Sequence, residues 1–156
     1  MIRISKLTDY AFIVLGHMAR GRAEVYAAAE LADGTGIAMP TVSKVLKSLT
    51  RAGVVRSSRG AHGGYALSRP AEETSVATVI YALEGPIAIT ECGVDDHRCN
   101  QSDSCHAQGN WSVINRAIRN ALESVSLAEL SRPVAAEEIS IPLHRVARRR
   151  PAELAE

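Results

Sequence analysis

Along the first half of the chain, apolar side chains recur every three or four residues and glycines punctuate them. In "KLTDYAFIVLGHMAR" (residues 6–20), Leu7, Tyr10, Ala11, Ile13, Val14 and Leu15 fall near a helical period. Ser5 or Thr8 can cap the start and Gly21 stops it, so the spacing predicts a first helix. A short "GRAEVY" connection leads to "AAAELADGTG" (27–36), a short helix ended by glycine, and then to "IAMPTVSKVLKSLTRAG" (37–53). Pro40 falls in the first turn of this third helix, where a missing N–H is tolerated. Val42, Val45, Leu46 and Leu49 form its inward face, and Thr41, Ser43, Lys44, Lys47 and Ser48 are left outward.

Two short helices joined by a turn holding Gly34 and Gly36, the second presenting hydroxyl and basic residues, fit a helix-turn-helix. A bundle of short core helices carries the same apolar spacing, so this pattern alone leaves both open. The next stretch weighs between them. "GVVRSSRGAHGGYALSRP" (53–70) reads as a strand with Val54 and Val55, a turn from Arg59 through Gly60, His62 and Gly63, and a return strand with Tyr65, Ala66 and Leu67. A two-stranded ribbon directly after a recognition helix is a wing. Its tip can lay Arg59 and His62 along a DNA groove while the glycines admit close backbone approach. The alternative is an ordinary loose hairpin.

"SVATVIYALEG" (75–85) predicts another amphipathic helix, capped by Thr74 or Ser75, with Val76, Val79, Ile80 and Leu83 inward. Further on, Asn110 is placed to cap a long helix, "WSVINRAIRNALESVSLAEL", striped by Trp111, Ile114, Ile118, Ala121, Leu122 and Val125. That stripe must be buried against its own domain or against the same helix of a second copy. A two-fold homodimer is the economical solution, because it also presents two recognition helices to a palindromic site. From Ser131 onward, Pro133, Pro142, Pro151 and the arginine run 148–150 signal a flexible tail. The expected division is a DNA-binding domain over 1–84, a cysteine loop over 85–109, a dimerisation helix over 110–131 and a tail over 132–156. The fold class is mainly α with a small β-wing.

Charge changes this picture once it is divided along the chain. Residues 1–70 carry ten Lys and Arg against four Asp and Glu, +6, whereas 71–156 carry eight against thirteen, −5. The first part has the charge of a nucleic-acid binder. No apolar run reaches the length needed to cross a bilayer, and Arg3, Lys6 and Asp9 break any signal-peptide pattern, so the cytoplasm is the expected location. No nucleophile–base pairing or paired carboxylates stand at suggestive spacing, and an enzyme is not expected. His17, on a helix flank, reads as a packing residue.

All three cysteines fall in "ECGVDDHRCNQSDSCHAQGNW" (91–111). Cytoplasmic thiols stay reduced, so an odd, clustered set reads as metal ligands or a redox sensor rather than a disulfide framework. Cys92, Cys99 and Cys105 are separated by six and five residues, without the tight pair usual at zinc sites. Thiolates that each arrive on a separate excursion of chain suit an object with several metal vertices, and iron–sulfur is favoured over zinc. One coordination position is left to another ligand, with His106, His97, Asp103 and Glu91 nearby. Unligated thiols and a disulfide-forming peroxide sensor stay open as alternatives.

"LTDYAFIVLGHMA", "PTVSKVLKSLTRAGVVRSSRGAHGGYALSRP", "SVATVIYALEGPIAITEC" and the three-cysteine loop ending in "NW" together resemble the IscR/NsrR-type winged-helix iron–sulfur regulators. The likeness is closest to the Suf-system members that regulate cluster assembly, and it covers roughly residues 1–131. It implies dimers on double-stranded DNA, with Thr41, Ser43, Lys44 and Lys47 in the major groove and Arg59, Gly60, His62, Gly63 and Tyr65 on the wing at the minor groove. It implies a cluster held by Cys92, Cys99 and Cys105, with 2Fe-2S favoured over 4Fe-4S. Two positions depart from the pattern: the first cysteine gap is one residue longer, and Gln108 stands where IscR has a ligand histidine. In NsrR-like members an aspartate near the N-terminus reaches the cluster from the partner subunit, and Asp9 matches it in "LTDYA". Asp9 therefore ranks ahead of His106 as fourth ligand.

The expected function is a repressor that senses iron–sulfur cluster status and regulates cluster-assembly genes. A nitric-oxide or redox-sensing repressor of stress genes and a zinc-stabilised winged-helix interaction protein are the alternatives.

Overall fold

The computed structural model describes residues 3–60, 63–90, 105 and 108–132. Six α-helices and a 3-10 turn (Ala71–Glu73) are described: α1 (Lys6–Arg20), α2 (Ala28–Thr35), α3 (Met39–Arg51), α4 (Val76–Glu84), α5 (Gln108–Glu123) and α6 (Leu127–Leu130). Two strands, β1 (Val55–Ser58) and β2 (Gly64–Leu67), pair antiparallel with Val55 opposite Leu67 and Ser58 opposite Gly64. The Ser5 hydroxyl caps α1 by accepting from the Thr8 N–H at 3.2 Å.

An apolar core seats the N-terminal half. Ala11, Val14 and Leu15 of α1, Leu31 of α2, and Val42, Val45, Leu46 and Leu49 of α3 are all fully buried. The inward face of α3 is thus the one its spacing predicts. Each aliphatic side chain removed from water there contributes about 1.5–3 kcal/mol before entropy is set against it. His17 packs as expected: its ring meets Tyr26 edge-on at 6.0 Å and lies where a Cβ on Gly34 would stand 2.3 Å from it. Tyr26 also ties the hairpin to the α1–α2 connection, exchanging backbone hydrogen bonds of 2.9 and 2.8 Å with Tyr65.

The structure departs from the sequence reading at the long helix. In place of an unbroken run capped by Asn110, α5 starts at Gln108, holds Asn110 inside its first turn and ends at Glu123. Ser126 then caps α6: its hydroxyl accepts from the Glu129 N–H at 3.1 Å, and the Glu129 carboxylate accepts from the Ser126 N–H at 2.8 Å. The bond from the Ser126 N–H, with a second from the Ser126 hydroxyl to the same carboxylate at 2.8 Å, holds the Glu129 pKa below the usual carboxylate range. Ser-x-x-Glu is a helix-start signal that the apolar periodicity overran. Because the chain turns here, Leu127 is fully buried in the core. Val125 leaves the stripe, and its carbonyl accepts from the Val76 N–H at 2.9 Å.

Helix α4 ends on a carboxylate, which opposes its own dipole but serves its neighbour. Glu84 Oε1 accepts from the Ser5 N–H at 2.9 Å and from the Thr8 hydroxyl, so it caps α1 from outside. Hydrogen bonding from Thr8, and then from Ser5, lowers the Glu84 pKa. Glu84→Ala is expected to reduce stability at pH 7 by about 1 kcal/mol, solvent exposure discounting the full value of a charged hydrogen bond. With the folded pKa the lower one, this contribution is complete above the ordinary carboxylate range and lost as pH falls through the lowered pKa. Urea melts of both proteins at neutral and acidic pH check this, the gap narrowing in acid.

Candidate DNA interface and cysteine segment

Opposite its buried stripe, α3 exposes Pro40, Ser43, Lys44, Lys47 and Arg51, which step by three or four residues along one face. Thr41, expected outward, is half-buried on the flank. The first turn of α3 holds no acidic residue, so the partial positive charge of the helix start adds to that of the lysines. From residue 34 to residue 71 the chain contains no Asp or Glu at all. Nothing on this stretch of backbone offsets its cations, and polyanionic phosphate is the complementary surface.

Between α3 and the hairpin lies a cleft of about 470 Å³ lined by Ser43, Lys47, Thr50, Arg51, Ser57 and Tyr65. It brings together Ser43, Lys47 and Tyr65, all named from sequence. Thr50, Arg51 and Ser57 were missed. For Arg51 a signal was present, since it follows Lys47 by one helical turn on the basic face. For Ser57 none was, because its approach to α3 depends on how the hairpin folds back.

At the tip, Arg59 and Gly60 are exposed, and Gly60 has φ 111°, a conformation that favours glycine. Gly63 has a reason internal to the wing: a Cβ there would stand 2.5 Å from the Ser58 carbonyl oxygen. The Gly63 N–H closes the turn by donating to the Gly60 carbonyl at 2.9 Å. His62 lies outside the described residues.

Of the residues expected to ligate metal, Cys105 and Asp9 are described. Cys105 is a half-buried free thiol three residues ahead of α5, and Asp9 is exposed in the first turn of α1. Cys92, Cys99 and His106 lie outside the described residues. Among the described residues, no three His, Cys, Asp or Glu side chains group closely enough to hold a metal ion. Just upstream of the cysteines, residues 89 and 90 are held against α5 by the buried amide of Asn115.

Residues 4–133 match the family profile Rrf2, described as an iron-dependent transcriptional regulator. The chain belongs to the Rrf2 family. Protein rrf2 of Nitratidesulfovibrio vulgaris is 34% identical over 103 residues, 66% of this chain and 69% of its own length. IscR of Photorhabdus laumondii is 32% identical over 102 residues, 65% of this chain and 62% of its own. Among solved structures, CymR, the global cysteine regulator of B. subtilis, matches with a TM-score of 0.64 at 25% identity, covering 84% of this chain and 97% of that one. T. potens IscR matches in fold with a TM-score of 0.58 at 24% identity, over 83% and 85% of the two chains. This Rrf2 chain is a winged-helix, DNA-binding transcriptional regulator and not an enzyme. Among the described residues, no helix is long and apolar enough to cross a membrane.

Arg59→Ala is expected to weaken operator binding by about 1–3 kcal/mol if the wing tip engages a groove. Lys47→Ala is expected to weaken binding across sequences and to lower the salt slope by about one. Fluorescence anisotropy over a salt series measures both, and unchanged affinity in Arg59→Ala removes the wing tip from the interface.

Proposed function

We propose that this Rrf2 protein is a cytoplasmic, homodimeric repressor that senses iron–sulfur cluster status and controls genes for cluster assembly. The observation that carries the reading is the free, half-buried thiol of Cys105 at the foot of α5. It belongs to a set of three thiols whose soft donors suit iron–sulfur chemistry. Cys92, Cys99 and Cys105 hold the cluster, 2Fe-2S in preference to 4Fe-4S, and Asp9 precedes His106 as fourth ligand. Asp9 is exposed, and its neighbour Thr8 is fixed by Glu84, so the first turn of α1 has a defined position relative to α4. A bound cluster supplies ligation that oxidants and iron shortage remove. The target genes follow from the motif resemblance to the IscR/NsrR-type regulators, with which the likeness to an IscR relative agrees.

On this reading residues 1–84 bind DNA, 85–109 hold the cluster, 110–131 pair the subunits and 132–156 form a tail. Thr41, Ser43, Lys44 and Lys47 face the major groove, and Arg59, Gly60, His62, Gly63 and Tyr65 follow the minor groove of a palindromic operator. Pairing is supported by α5, which leaves Trp111, Val113 and Ile114 38%, 53% and 42% exposed. Apolar area of that kind on a helix is what a second copy covers.

Purification without oxygen is expected to yield a brown protein carrying iron and acid-labile sulfide. A colourless protein rich in zinc and still bare after reconstitution overturns the sensing role. Cys99→Ala is expected to remove the colour and leave a cooperative thermal melt; an unfolded product contradicts a purely regulatory segment. Ile114→Asp is expected to sediment as a monomer and to lose about tenfold or more in operator affinity, as one half-site no longer supports the other.

A further inference from the structure

Asn115 is the exception on its helix. Among the described residues of α5 it alone is buried, at 2% exposure, and its side chain is polar. Its partners come from across the fold: the Ile89 N–H donates to Oδ1 at 2.9 Å, and Nδ2 donates to Thr90 Oγ1 at 3.1 Å. An amide engaged at both ends fixes how far, and at what rotation, α5 sits from residues 89–90. A slip in register would leave buried polar groups unpaired. Burial alone does not call for an amide here, because a leucine would serve it at least as well.

Chain order gives this contact its importance. Thr90 stands two residues before Cys92, and Cys105 stands three before α5, so the amide closes a length of chain that contains every cysteine. At its other end α5 leads into the DNA-binding half. The Leu127 N–H donates to the Thr74 carbonyl at 2.7 Å, and the Leu127 side chain enters the core that residues of α1 and α3 build.

We propose that Asn115 is the positioning residue that couples the cysteine segment to α5. The proposal rests on the sensing reading above. A displacement of residues 89–90 is passed directly to the helix as a rigid shift.

The test compares the full-length protein with Asn115→Ala, which removes both hydrogen bonds, and Thr90→Val, which removes the one from Nδ2. Each protein, prepared without oxygen, is measured for operator affinity with cluster and after its removal, and the cluster-free form for amide exchange at Ile89. In Asn115→Ala the ratio of the two affinities is expected to fall about fivefold or more toward unity. The same ratio falls less in Thr90→Val. The cluster-free Asn115→Ala protein should bind DNA as wild type does, with faster exchange at Ile89 and unchanged exchange in α1 and α3. A ratio preserved in both variants overturns the coupling and leaves the sensing reading standing. A wild-type protein whose affinity ignores the cluster overturns both. Accelerated exchange throughout α1 and α3 gives Asn115 a merely structural role and also overturns the proposal. Should Asn115→Ala fail to fold, the ratio in Thr90→Val decides.

Discussion

Everything on the DNA-facing side depends on the burial of four aliphatic side chains of one helix. Val42, Val45, Leu46 and Leu49 hold α3 against α1 and α2 with no exposed area. Tight packing in a core leaves little freedom to roll, so the direction of the opposite face is fixed by the same contacts. That face carries Ser43, Lys44, Lys47 and Arg51, all exposed and outside the apolar core. It is therefore free to be selected for polarity and charge alone. The absence of acidic residues from 34 to 71 leaves the cations repelling one another until phosphate neutralises them, which is how an electrostatic surface favours its ligand.

Besides Val79 and Leu127, which share the apolar core, the remainder of the chain is tied back to this unit by a few polar contacts. Glu84 fastens the end of α4 to the start of α1, the Thr74–Leu127 and Val76–Val125 bonds join the start of α4 to the chain after α5, and Asn115 holds residues 89–90. The Arg20 guanidinium adds a bond of 3.0 Å to the Ser131 carbonyl beyond α6. These contacts are polar and directional, in contrast to the apolar seat of α3. Directional contacts transmit displacement between elements that a hydrophobic surface would let slide, and this difference makes a regulatory segment next to Asn115 physically reasonable.

Local signals in the chain account for most of this architecture. Helical spacing with glycine stops marks α1 to α4, and the turn-rich run 59–64 marks the wing, because these features follow from side chains within a few residues of one another. The break between α5 and α6 was lost for a definite reason: the apolar period continues through Val125 and Leu127 even though Ser126 and Glu129 form a cap. The cleft of Lys47, Arg51, Ser57 and Tyr65 was half legible. Its helical members share a face, but its hairpin members arrive through tertiary folding, which no local pattern encodes. Asn115 carries no local signal at all, since its partners lie 25 and 26 residues away.

The central claim is that the basic face of α3 and the wing, carried twice by a symmetric dimer, read one DNA sequence. Selection of duplexes from a random library by the full-length protein, followed by sequencing, addresses it most directly. The account predicts enrichment of an inverted repeat whose half-sites lie about one helical turn apart. Retention of DNA with no enriched sequence, or of a single unrepeated half-site, would contradict it.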